Sequence, residues 1–339
     1  MASNPISGFE RGQRIAMPIV ITGTVAEYFL PSLLADVAVD VPGVPETSSP
    51  SATLVAPWLL VAIRCAATPA NLLCADLQCE AALSILTKGA IDIDRLRLAH
   101  GALTGLPHAS GYRDAIAWVN GRSPEDAKLV PPPSSAIEPL MSDLAVFLAR
   151  TDVPVWIKQA LAYYQLIHIH PFADGNGRLS RLLVAAIGAT TSPARLRSMI
   201  VALALSVHRK AFTHRFDAMQ AGISDAYLRL WRNLDEWACD FSFEVATRER
   251  ELRTTLSELV GANSAPRLFD LFADGVALTE QKVAATLRWS AKNAPLYFTR
   301  LRDAGWANGS AAGFVAEPVR AAQRELVARV VAGSSTILL

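Results

Sequence analysis

Twelve consecutive residues constrain this chain more than any other stretch: His170-Pro171-Phe172-Ala173-Asp174-Gly175-Asn176-Gly177-Arg178-Leu179-Ser180-Arg181. Before them, Pro154 to Ile169 is an apolar, helix-forming run with no internal Pro or Gly; after them, Arg178 to Ile187 is apolar on most faces. The spacing predicts a helix, a short loop and a second helix, with the loop feeding that helix's N-terminus. Such a terminus offers unpaired backbone N–H groups and the positive end of the macrodipole, which suits an anion.

The residue types fit phosphate chemistry. Gly175 and Gly177 let the backbone approach a ligand closely, and successive N–H groups around Gly175, Asn176 and Gly177 can cradle an anion. Arg178 and Arg181, three apart on a helix, share a face and can both reach phosphate oxygens. Asp174 is a hard oxygen ligand of the kind Mg²⁺ takes beside nucleotide phosphates. His170 can accept a proton near neutral pH. His168 lies close by, but no third ligand has metal-site spacing, so it reads as a helix residue facing elsewhere.

His-x-Phe-x-(Asp/Glu)-Gly-Asn-Gly-Arg-x-x-Arg is the signature of the Fic family, and this chain resembles it at every defined position. The resemblance implies a mainly α fold: a Fic-type helical core with a short β-hairpin flap. It implies a protein adenylyltransferase, with ATP as substrate and Mg²⁺ as cofactor, moving AMP to a Ser, Thr or Tyr hydroxyl of a target protein. His170 is then the general base, Asp174 holds the metal, Gly175, Asn176, Gly177, Arg178 and Arg181 bind the phosphates, and Phe172 anchors the loop in the core. In the Doc branch, which transfers the γ-phosphate, the Gly177 position is lysine, so glycine favours nucleotidyl transfer. An ATP-sensing regulator and a de-AMPylating variant are the alternatives.

The remaining chain divides into an N-terminal segment and Pro/Ser-rich linker (1–52), a helical region (53–106), the catalytic core (107–260) and a C-terminal unit (261–339). Helices are expected over 54–67, 72–86 and 93–103. Self-inhibited Fic proteins carry an upstream helix with (Ser/Thr)-x-x-x-Glu-(Gly/Asn); here Ser84, Lys88 and Gly89 resemble that layout, with lysine replacing the glutamate that would pair with the motif arginine. The usual inhibition, and removal of AMP through that glutamate, are therefore not expected. Alternation over Ile116, Trp118 and Asn120, followed by Asn120-Gly121, predicts a hairpin. By resemblance this is the flap that docks the target polypeptide as an added strand, at Ala117, Trp118, Val119 and Asn120.

Residues 265–318 resemble the winged helix-turn-helix unit common at the C-terminus of Fic proteins, with Lys292, Asn293, Arg300 and Arg302 as candidate DNA contacts. The charge bias is small: nine Lys and Arg face six Asp and Glu over 265–332. The whole chain, 339 residues at net charge +1, argues neither for nor against nucleic acid. Many relatives dimerise, so a homodimer is an expected partner state. Four cysteines without metal-site spacing read as reduced thiols. Glu10, Arg11 and Arg14 precede the first apolar run, and the most apolar stretch, Leu54 to Ile63, contains Pro57 and stops at Arg64. A cytoplasmic protein with no membrane span is expected.

Overall fold

The structure, a computed structural model, describes residues 6–7, 13–19, 24–31, 33–36, 38–39, 59, 77–189, 195–209, 225–274, 277–310 and 313–338. The N-terminal segment carries strands that the sequence reading missed. β1 (Ile6–Ser7) pairs antiparallel with β4 (Ala38–Val39), and β2 (Gln13–Ile19) with β3 (Thr24–Leu30). Thr24, Val25, Tyr28 and Phe29 supply the β-branched and aromatic content that a strand prefers. Beyond them the chain is tied to the body at Asp143, whose carboxylate accepts from the backbone N–H of Leu34 and Ala35 at 2.6 and 2.9 Å. The helix expected over 54–67 lies largely outside the described residues, as does the start of the one expected over 72–86.

The rest is mainly α. The helices are α1 (Leu77–Thr87), α2 (Ile93–Thr104), α3 (Ile137–Ala149), α4 (Val155–Ile169), α5 (Asn176–Ala189), α6 (Arg195–Val207) and α7 (Asp225–Val260). α7 runs as one helix because no Gly or Pro interrupts it, and it ends at Gly261, where φ is +82°. α4, α5 and α6 are buried on nearly all sides, which explains the apolar runs over 154–169 and 178–187. Gln159, fully buried on α4, ties the three together by donating to the Val184 carbonyl and the Ser198 hydroxyl, both at 2.8 Å. The Tyr227 hydroxyl donates to the Ala160 carbonyl and locks α7 onto α4. α1 packs on α2 and α5, so the helix that bears Ser84 adjoins the motif helix.

The expected hairpin is reduced to one antiparallel bridge, Val119 to Leu129, with Val119 N–H donating to the Leu129 carbonyl at 2.9 Å. Local side-chain bonds replace the second strand. Asp126 accepts from the N–H groups of Arg122 and Ser123, which draws the chain into a turn instead of a ladder.

The C-terminal unit contains α8 (Ala265–Ala273), α9 (Glu280–Leu287), α10 (Ala294–Asp303), β5 (Asn308–Ser310) and β6 (Gly313–Val315), followed by α11 (Glu317–Leu338). Thr279 caps α9 by accepting from Lys282 N–H. β5 and β6 form a hairpin, and Leu278 exchanges two backbone bonds with Phe314. Phe272, Phe298, Trp306 and Phe314 form its aromatic core. Among the described residues, no helix is long and apolar enough to cross a membrane.

Candidate functional site

The motif folds as the sequence predicts, except that the second helix begins at Asn176 rather than Arg178. His170 ends α4 in the left-handed conformation (φ 48°, ψ 57°), an uncommon state for a residue with a Cβ. Its backbone is held there from outside. The buried Arg113 guanidinium donates from Nε to the His170 carbonyl (2.7 Å), from Nη2 to the carbonyls of Ile169 and Pro132, and from Nη1 to that of Ala115. Arg113 N–H donates to the Pro171 carbonyl. One side chain thus fixes the general-base candidate, the residues before the bridge and the Pro-rich turn together.

The tautomer of His170 follows from its partner. Nδ1 lies 3.3 Å from the Ile167 carbonyl, which can only accept, so Nδ1 carries the proton and Nε2 keeps its lone pair. Burial, aided by the Arg113 charge, lowers the imidazole pKa to about 4. His168 is buried, its Nδ1 bonded to the Tyr164 carbonyl at 2.7 Å and its ring tilted against the Tyr164 ring. Its pKa also falls to about 4, chiefly through burial.

Within the loop, several side chains serve the backbone. Asn176 is buried, and its amide closes a ring on Phe172: Oδ1 accepts from Phe172 N–H at 3.0 Å and Nδ2 donates to its carbonyl at 2.7 Å. The Asn176 side chain is thus committed to the loop, and its backbone N–H, the group expected to meet phosphate, stands at the start of α5. Phe172 is buried, as expected of an anchor. Gly175 has φ +81°, open to glycine at little cost. Asp174 is exposed, and its carboxylate spans the Gly175 N–H (2.6 Å) and the Arg178 guanidinium (3.0 Å). Arg181 is buried beside Tyr163 and folds back over Gly177, with Nη1 3.4 Å from where a Gly177 Cβ would stand.

Two contributors lie outside the motif. His100, on α2, stacks on Phe172 with ring centroids 3.8 Å apart and bonds the Asp174 carbonyl through Nε2 at 2.7 Å. Seventy-four residues separate His100 from that carbonyl, so no local spacing could have revealed the pair. Arg113 lies 57 residues from the His170 carbonyl that it clamps, so its role was hidden in the same way. Of the other predicted residues, Ala117, Trp118, Val119 and Asn120 lie on the bridge segment, with Trp118 42% exposed. Ser84 is exposed on α1, and Lys88 and Gly89 follow its end. Lys292 and Asn293 are exposed before α10, whereas Arg302 pairs with Glu280 and Arg300 reaches toward the Leu259 carbonyl.

The Fic/DOC family model matches residues 90–187. The likeness to that family is thus carried by this one stretch, which contains the whole of the twelve-residue motif. The match begins at residue 90, upstream of α2. The chain is similar to the protein adenylyltransferase Fic of Nematostella vectensis, at 34% identity over 103 residues, covering 29% of this chain and 22% of that one. It is also similar to that of Drosophila mojavensis, at 43% over 60 residues, covering 14% and 12%. It thus spans less than a quarter of the length of these relatives. A Fic family protein from Desulfovibrio desulfuricans G20 aligns in structure at a TM-score of 0.44 and 16% identity, over 76% of this chain and 80% of that one.

Proposed function

We propose that this chain is a protein adenylyltransferase that uses ATP and modifies a hydroxyl of a target protein. The observation that carries the reading is the His170 tautomer: a neutral imidazole, its Nε2 lone pair free of the Ile167 bond, set at the mouth of an anion-binding helix start. In the reaction, Nε2 takes the hydroxyl proton as the oxygen bonds to the α-phosphorus. The bond from that phosphorus to the bridging oxygen breaks, and pyrophosphate leaves. Backbone N–H groups at the start of α5 stabilise charge on the phosphate oxygens, and Arg178 and Arg181 hold the β- and γ-phosphates.

Among the described residues, no cluster of three or more His, Cys, Asp or Glu could cage a metal. The lone, exposed Asp174 carboxylate fits Mg²⁺ nevertheless, because that ion is commonly held by one or two carboxylates together with substrate phosphates. Held there, the ion would supply neutralisation of the nucleotide's phosphate charge. Phosphate oxygens can replace the carboxylate on the Gly175 N–H and Arg178, which releases Asp174 for that role.

The bridge segment with exposed Trp118 is the proposed docking edge for the target polypeptide. Three helices, the Leu278–Phe314 bridge and the β5–β6 hairpin follow the element order of a winged helix, and Lys292 and Asn293 remain its candidate contacts to DNA. A homodimer and a cytoplasmic setting complete the reading.

The test is incubation of the purified chain with Mg²⁺, a lysate and ATP labelled on the α-phosphate, with His170→Ala as control. Label on protein that is lost in the variant is expected. Label from γ-labelled ATP alone would replace the reading with phosphotransfer; bound ATP with no label from either would favour a nucleotide-sensing regulator.

A further inference from the structure

The Asp174–Gly175 peptide is the part of the loop whose orientation decides where the anion-binding N–H points, and it is held by a residue outside the motif. His100 Nε2 lies 2.7 Å from the Asp174 carbonyl, so Nε2 carries the ring proton and donates. Nδ1 lies 2.7 Å from the Ser110 hydroxyl, which must then donate to it. Each ring nitrogen thus has one partner of the right kind, and the two bonds together fix the neutral tautomer. The ring face stacks on Phe172, within 8° of parallel. In a trans peptide the carbonyl and the next N–H point in opposite directions. The bond from His100 therefore turns the Gly175 N–H away from α2, toward the Asp174 carboxylate and the Arg178 guanidinium. Packing enforces the same choice, since a Cβ on Gly175 would stand 2.9 Å from His100 Nε2.

We infer that His100, oriented by Ser110, is the positioning residue that aims the Gly175 N–H at the nucleotide phosphates. The inference rests on the adenylyltransferase reading, and concerns ATP binding more than proton transfer. His100→Phe keeps an aromatic face on Phe172 and removes the donor; His100→Gln keeps an amide donor of similar reach. Ser110→Ala removes the group that holds the tautomer without touching the loop.

ATP affinity is measured by calorimetry on the full chain, alongside the α-label assay and melting temperature. His100→Phe should weaken ATP roughly tenfold, the loss expected for one buried hydrogen bond. His100→Gln should restore part of it, and Ser110→Ala should lie between wild type and His100→Phe. The inference is overturned if both His100 variants bind ATP as wild type does, or if all three lose melting temperature with no graded change in affinity. A wild-type chain that binds ATP without labelling protein refutes the enzymatic reading alone, and the graded affinities still decide the role of His100. A wild-type chain that binds no ATP refutes both.

Discussion

The two histidines at the end of α4 make the fold sensitive to acid, and the size of the effect follows from their burial. In the unfolded chain each imidazole titrates near ~6.5. In the folded chain burial lowers both to about 4. Between those values the unfolded chain binds protons that the folded chain refuses, so stability present above the unfolded pKa is lost as pH falls through the window. At about pH 5 the loss relative to pH 8 is ~2 kcal/mol for each histidine, or about 4 for the pair. Asp235 works in the opposite sense. Its burial outweighs the Arg197 guanidinium 3.1 Å away and raises its carboxyl to about 6, so protonation there favours the folded chain by ~1 kcal/mol over the same range. A comparison with His170→Gln isolates one histidine from the rest. Urea unfolding followed by far-ultraviolet circular dichroism between about pH 8 and 5 should show the variant losing ~2 kcal/mol less than wild type. The variant should thus gain acid tolerance while losing transfer. Parallel pH dependences for the two proteins would refute the account of a buried, neutral His170.

The closure of the loop on itself has its own test: Asn176→Ala removes two bonds to the Phe172 backbone and should cost about 2 kcal/mol, read as a lower urea midpoint. Arg113→Ala leaves four buried or half-buried carbonyls without their donor, so a stability loss of ~3 kcal/mol and at least a tenfold slower label transfer are expected, with Arg113→Lys restoring little of either. Lys88→Glu should weaken ATP binding severalfold by calorimetry if Lys88 stands where inhibited relatives place their glutamate; an unchanged affinity would dissociate α1 from regulation.

The helices were legible where apolar residues recur over uninterrupted runs, as in 154–169 and 178–187. The candidate site was legible because its chemistry is concentrated in twelve adjacent positions. What the sequence concealed is non-local. β2 and β3 are recognisable as strands only once paired, and the Asn120-Gly121 signal for a hairpin was overridden by Asp126 capturing nearby N–H groups. His100 looked like any helix residue, because its partners are a carbonyl and a ring contributed from far along the chain.

The motif is better understood as a specification of backbone shape than as a roster of ligands. Asn176 spends both ends of its amide on Phe172; Phe172 supplies the surface on which His100 stacks; Gly175 makes room for His100 Nε2; and Gly177 makes room for Arg181. Each of these residues fixes a neighbour's position instead of reaching outward. On the proposed reading, the groups that meet the substrate are few: the His170 Nε2, the Asp174 carboxylate, the backbone N–H groups and the arginines. Conservative changes at Asn176 or Gly177 should therefore damage ATP binding through geometry, while changes at His170 should spare binding and remove chemistry. The same division explains why a short motif suffices to define the site even though His100 and Arg113, which lie outside it, hold it in place.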